Sequence, residues 1–317
     1  MVDRRHLLAF GAGLGAATFL AAPAHAVPAT VDLNTLRRRL SARRAEFSTA
    51  QYADLAARLP ALRQDVLAAR RSLPNARHQP ANALLARVEV LSSELAVKAG
   101  RDESAWSHAR AAVAAAEDSG SPSVLAEAIR ICATPLRRQG RAGEAVLLLK
   151  NTINRLISES EPVNVAAVGE LALTAAYSAA LAGRETEALV LVETAADAAG
   201  RLKGASGPTV HQIALYEVGV NHLLGFDATA VRIAQRIDPR LLPAGERRAR
   251  LATDAARALL ALGDHDQAFV SLLAVEDAAQ EEASRPSVRA LTGTLLERRP
   301  RLAGLGAFAA RTGVVPV

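Results

Sequence analysis

Arg130 and Arg137 stand seven residues apart, two turns of an α-helix, a spacing that puts both guanidinium groups on one helix face. Glu127 and Thr134 fall on the same stripe, and Tyr177, Gln212, His222, Arg250 and Arg257 hold related places in later segments of the chain. The chemistry open to such a row is recognition of an extended peptide, acidic or ending in a free carboxylate. Arginine grips carboxylates in bidentate fashion, and aliphatic neighbours take the side chains. The same residues also read as the ordinary solvated faces of helices.

Other chemistry lacks its residues. The seven histidines, His6, His25, His78, His108, His211, His222 and His265, form no HExxH or other compact ligand spacing, so no metal site is expected. Cys132 is the only cysteine, which excludes an internal disulfide and a cysteine-based zinc site. Within the apolar run 129–133 it reads as a small buried hydrophobe. GAGLGA at 11–16 partly matches a dinucleotide-binding glycine pattern, but no strand precedes it and no cofactor is expected. No Ser-His-Asp or paired-carboxylate arrangement follows from spacing, so no catalytic residue is assigned and the chain reads as a non-enzyme.

The elements that position the row repeat along the chain. Five times a Gly is followed five residues later by an Ala: Gly100/Ala105, Gly140/Ala145, Gly183/Ala188, Gly225/Ala230 and Gly263/Ala268. Successive glycines are 40, 43, 42 and 38 residues apart, and a sixth copy fits upstream with Ser48 and Ala53 in the two places. A period of this size with helical patterning means stacked helical hairpins, because no single unit can bury its apolar face alone. The Gly closes the first helix in a left-handed conformation. Seven residues before it stand Ser93, Ala133, Ala176, Val218 and Ala256, mostly small, as required where the two helices cross. Prolines at 122, 162, 208, 243 and 286 announce first helices. Pro60 and Pro135 lie inside helical patterns and are expected to kink or restart them, and residues 73–80 read as a connection. Counting back roughly 13, 10, 6, 3 and 2 residues from each turn gives the concave row named above.

The pattern resembles the tetratricopeptide repeat, with a longer unit and few of its aromatic landmarks. The expected fold is all-α: a right-handed superhelix of about six hairpins over 31–283, then a capping region at 284–317 with closing helices near 285–296 and 301–312. Strand patterning is nearly absent, half of the 317 residues are apolar and only 3% are aromatic, a composition suited to closely packed helices. The net charge of +6 comes almost wholly from arginine. Runs such as Arg37-Arg38-Arg39 fit an anionic partner or a solvated helix face. No basic region is interleaved with aromatics, which excludes a stacking platform for single-stranded nucleic acid.

Residues 1–30 form an apolar N-terminal segment. Arg4-Arg5, the run 7–22 and Ala24-His25-Ala26 together look like a twin-arginine export signal cleaved after Ala26. The run is too short and too rich in Gly and Ala for a stable membrane span.

Residues 214–296, with RRRLSARRAEFSTAQYADLAARLPAL at 37–62 and LAEAIRICATPLRRQGRAGEAVLLL at 125–149, are similar to the sensor half of bacterial Cro-type (XRE family) helix-turn-helix transcriptional regulators. In that family a segment like residues 3–8 joins a DNA-binding domain to the repeats. The resemblance implies a cytoplasmic regulatory or adaptor module that binds a peptide or protein in its concave groove, with a partner in the transcription machinery. No sequence-specific DNA binding is expected from this chain alone, since its first residue falls at that joint. The alternatives are an exported scaffold carrying a twin-arginine signal and an accessory subunit of an enzyme.

Overall fold

The computed structural model describes residues 32–74, 78–159, 163–202 and 208–314. The apolar segment 1–30, with its signal-like reading, and Pro162 lie outside them. The described residues form fifteen α-helices and no strand. Twelve of them make six consecutive hairpins: α1 (Leu33–Ser48) with α2 (Tyr52–Ser72), α3 (His78–Lys98) with α4 (Asp102–Ser119), α5 (Pro122–Arg138) with α6 (Ala142–Glu159), α7 (Val165–Leu181) with α8 (Glu185–Arg201), α9 (Val210–Leu223) with α10 (Asp227–Arg236), and α11 (Gly245–Ala261) with α12 (His265–Ala278). The short α13 (Gln280–Ala283) leads into α14 (Pro286–Arg298) and α15 (Leu305–Thr312).

Every hairpin turns the same way. Gly140 has φ +76°, and the Arg141 N–H reaches back to Leu136 O at 2.9 Å, which satisfies a carbonyl that the helix end would otherwise leave orphaned. The same bond recurs from Arg101, Arg184, Phe226 and Asp264. In the first hairpin it runs from Gln51 to Glu46 O, and the left-handed residue is Ala50, at φ +58°. This corrects the upstream register: Ser48 ends α1 and Ala53 is exposed in the first turn of α2, while Ala50 and the fully buried Leu55 take the two repeat places. A glycine-based pattern cannot find a turn built on alanine.

In the other five hairpins both members of each small pair are buried, as expected. Ser93, Ala133, Ala176, Val218 and Ala256 are 0% exposed, as are the alanines five residues past each glycine. In the second hairpin the contact is direct, the Ser93 hydroxyl donating to Ala105 O at 2.8 Å.

Several local expectations are corrected. α2 and α5 run unbroken through Pro60 and Pro135. α3 begins at His78, inside the supposed connection, where a His78 ring nitrogen lies 2.8 Å from Leu73 O. Pro122 and Pro286 occupy first turns, whereas Pro208 and Pro243 stand two residues ahead of α9 and α11. No described helix is long and apolar enough to cross a membrane.

The two ends of the array meet. One core unites buried residues of α1–α5 with those of α11–α15, among them Leu36, Leu55, Leu91, Leu272, Leu295 and Phe308. Two smaller clusters fill α5–α9 and α9–α11. At the seam Lys98 donates to Glu246 at 2.6 Å and to Glu282 at 2.7 Å, and Tyr52 bonds the same Glu282 carboxylate. The Ala53 N–H donates to Glu281 at 2.9 Å.

Candidate functional site, a cationic pocket inside the array

The first helix of every hairpin contributes to one pocket of about 240 Å³. Phe47 comes from α1, Glu94 and Lys98 from α3, Arg130, Thr134 and Arg137 from α5, Thr174 and Tyr177 from α7, Tyr216 from α9, and Glu246, Arg247, Arg250, Asp254 and Arg257 from α11. Arg285, between α13 and α14, completes the lining. Six of the nine sequence-derived residues therefore converge: Arg130, Thr134, Arg137, Tyr177, Arg250 and Arg257.

Three do not line it, in each case with a local cause. Glu127 is drawn toward α1 and α3, accepting from Arg44 at 3.1 Å and Arg87 at 3.2 Å. His222 is held by Asp227 across its own hairpin at 2.6 Å. Gln212 lies in the first turn of α9, where Thr209 caps its backbone N–H at 3.2 Å. The counting rule assumes one helix length and one tilt for every repeat, and α9 has only 14 residues.

Tyr177 anchors the pocket. Arg137 lies 5.0 Å and Arg250 5.8 Å from its ring centroid, and Arg250 stacks 4.2 Å over Tyr216. Guanidinium groups hold such positions through the negative ring face. Gly219, in the middle of α9, makes this possible: a Cβ there would come within 2.7 Å of Tyr177 Cε2. The helix accepts a residue that costs about 1 kcal/mol relative to alanine and gains room for the ring.

The charges divide unevenly. Six arginines and one lysine line the pocket against three carboxylates. Asp254 accepts from Arg257, and its other oxygen, buried and without a hydrogen-bond partner, lies 3.6 Å from Arg250 Nε. Arg130 shares Glu170 at 3.6 Å and Glu94 at 3.8 Å, both long, and its buried Nε has no hydrogen-bond partner. Arg137 donates to two hydroxyls, Thr134 at 2.8 Å and Ser178 at 3.0 Å, and pairs with no carboxylate among the described residues.

The titration tendencies follow this imbalance. Burial pushes Arg137 below its ordinary value, and Arg250 and Arg130 add to the push against the pull of Tyr177 and Tyr216. Burial alone would raise Tyr216. Arg250, Arg247 and Arg130 outweigh it and bring the phenol down to about 7. The potential inside the pocket therefore favours an anion. At the seam, burial works against the charged forms of Glu246 and Glu282, yet Lys98, with Arg247 for the first and Arg285 for the second, holds both below the usual carboxylate range. Burial and Glu282 push the Tyr52 phenol up.

Elsewhere, Cys132 is buried and its thiol is pushed up to about 11 by burial, which suits packing and not nucleophilic attack. Among the described residues no group of His, Cys, Asp and Glu is arranged to hold a metal ion. Lys98 stands two residues before Gly100, a counted position that the row left unnamed, whereas Glu246 and Arg285 fall outside the counted span and Tyr216 sits between counted positions.

No protein-family model matches the chain, and no curated protein matches it.

Proposed function

We propose that the protein is a non-enzymatic sensing or adaptor module that takes a peptide or protein segment at the concave face of its repeats. In this reading the six hairpins form a right-handed, tetratricopeptide-like superhelix, and a change in their relative tilt passes the bound state to a second partner in the transcription machinery. The observation that carries the proposal is the convergence of Arg130 and Arg137 from one hairpin with Arg250 and Arg257 from another on a single pocket, with Arg137 and Arg250 over the Tyr177 ring of a third. A ring of unevenly compensated guanidinium groups over an aromatic floor is chemistry for binding an acidic group.

The test is capture of partners by the parent chain and by an Arg130→Ala/Arg137→Ala double variant, with helicity of both checked by circular dichroism. Loss of one charge-assisted contact costs about 1.5–3 kcal/mol, so capture by the double variant is expected to fall by about tenfold or more. Equal capture of the same partners by both chains overturns the reading. We also place the protein in the cytoplasm, as the likeness to regulators implies. Mass spectrometry of the mature N-terminus checks this, since a start at Val27 means export.

A further inference from the structure

We propose that the pocket is built for a phosphate monoester dianion, held by Arg137 and Arg130 from α5 on one wall and Arg250 from α11 on the other. The inference rests on the reading that the concave pocket is the ligand site, and it names the group bound there.

The charge count inside the pocket points to two missing negative charges. Lys98 is matched by Glu246 and Glu282, Arg285 by Glu282 at 2.5 Å, and Arg247 by Glu246 at 3.5 Å. Arg257 and Arg250 share the single carboxylate of Asp254. Arg137 has hydroxyl partners only. Arg130 has Glu94 and Glu170, so the seven cations of the lining meet five carboxylates in all, Glu94, Glu170, Glu246, Asp254 and Glu282, and the set is short by two. Half-buried cations held near one another repel, and a counter-charge relieves them, so a ligand of charge −2 completes the set.

Geometry separates phosphate from carboxylate. A carboxylate is planar and is satisfied by one bidentate guanidinium. Here the donors come from two helices that are not neighbours in the chain, and they approach the same ring, at 5.0 Å and 5.8 Å from its centre. Donors spread in this way match three oxygens pointing in different directions, as in a phosphate monoester. Arg130 Nε, buried and without a hydrogen-bond partner, adds a donor. The hydroxyl-bearing Thr134, Thr174 and Thr253 complete a polar lining, and a volume of about 240 Å³ limits the enclosed part of the ligand to the phosphate and a few further atoms. The dianion could arrive on a small metabolite or on a phosphorylated side chain of a partner.

The experiment is calorimetric titration of the full chain with inorganic phosphate, phenyl phosphate, a phosphoserine peptide and its unphosphorylated twin, with sodium acetate at matched ionic strength as the control. Saturable binding of the phosphate compounds with none by acetate is expected, together with at least a tenfold loss of affinity in Arg137→Gln. Tighter binding of the phosphopeptide than of phenyl phosphate assigns the ligand to a partner protein, and the reverse assigns it to a small molecule.

A second readout needs no variant. Arg250, Arg247 and Arg130 outweigh burial and lower the Tyr216 phenol, so its phenolate absorbance should develop at higher pH when phosphate fills the pocket, because a bound dianion opposes a neighbouring phenolate. Phosphate that binds equally well in Arg137→Gln overturns the inference. So does binding of the unphosphorylated peptide alone with loss in the Arg130→Ala/Arg137→Ala variant, an outcome that leaves the broader reading of the groove in place.

Discussion

The hairpin crossings and the seam between the array's ends hold the molecule together by opposite means. At the crossings, Ala133, Ala145, Ala176 and Ala188 are fully buried and carry no polar group beyond the backbone. Their small size lets two helices approach, and dispersion and apolar burial supply the stability. At the seam, Lys98, Glu246, Glu282, Tyr52 and Arg285 are all mostly or wholly buried and bonded to one another. Ion pairs of this kind add little when complete but cost much when broken. A crossing is made by neighbours in sequence and tolerates no added volume, whereas the seam joins residues 148 and 184 positions apart and tolerates no lost charge. Binding chemistry gathers beside the seam, since Lys98, Glu246 and Arg285 also line the pocket.

The largest test of this contrast is Lys98→Met. It keeps the aliphatic bulk and strands two buried carboxylates, so stability should fall by about 3–5 kcal/mol in denaturant titration. Its pH dependence has a defined sign. Glu246 and Glu282 sit below their ordinary value of 4.5 in the folded state, so their contribution is complete above that pH and is lost as pH falls through their lowered values. The deficit of the variant should therefore be widest near neutrality and shrink in acid. A constant difference across that range would mean that Lys98 acts through packing.

The next effect pits one turn glycine against another. Alanine at Gly140, where nothing approaches within 4 Å, should cost about 1 kcal/mol for the left-handed backbone alone. At Gly100 an added Cβ would also meet Pro286 Cγ at 2.9 Å, so Gly100→Ala should cost roughly 1–3 kcal/mol more through overpacking of the seam. Equal thermal shifts for the two variants would remove α14 from contact with that turn.

Ala145→Leu tests the crossings themselves. The extra volume must separate α5 from α6, with an expected loss of about 1–3 kcal/mol, and coincident denaturation midpoints for variant and parent would show the assigned register to be wrong.

The smallest change is a gain. Ala50 carries the left-handed conformation that glycine takes in the other five turns, so Ala50→Gly should raise stability by less than about 1 kcal/mol, relief of strain being partly offset by a more flexible unfolded chain. A loss of stability would show that Ala50 contributes more through its buried methyl than it costs in strain.

Local information determined most of the secondary structure. A glycine in a left-handed turn with small residues seven before and five after is a short-range device, and five of six hairpins follow it because helix ends and helix crossings are settled by residues within a dozen positions of one another. Where the device used another residue, as at Ala50, the register slipped by two. Helical counting also brought six of the nine row residues into one pocket, since side chains on the first helix of each hairpin share a phase. It failed for Glu127 and His222, whose partners Arg44, Arg87 and Asp227 were nearer than the pocket, and for Gln212 on a shorter helix. What only the tertiary structure decided is the meeting of the two ends and the charge balance it creates. The pairing of Lys98 with Glu246 and Glu282, and the absence among the described residues of a carboxylate for Arg137, depend on contacts between hairpins far apart in the chain, which no local pattern records.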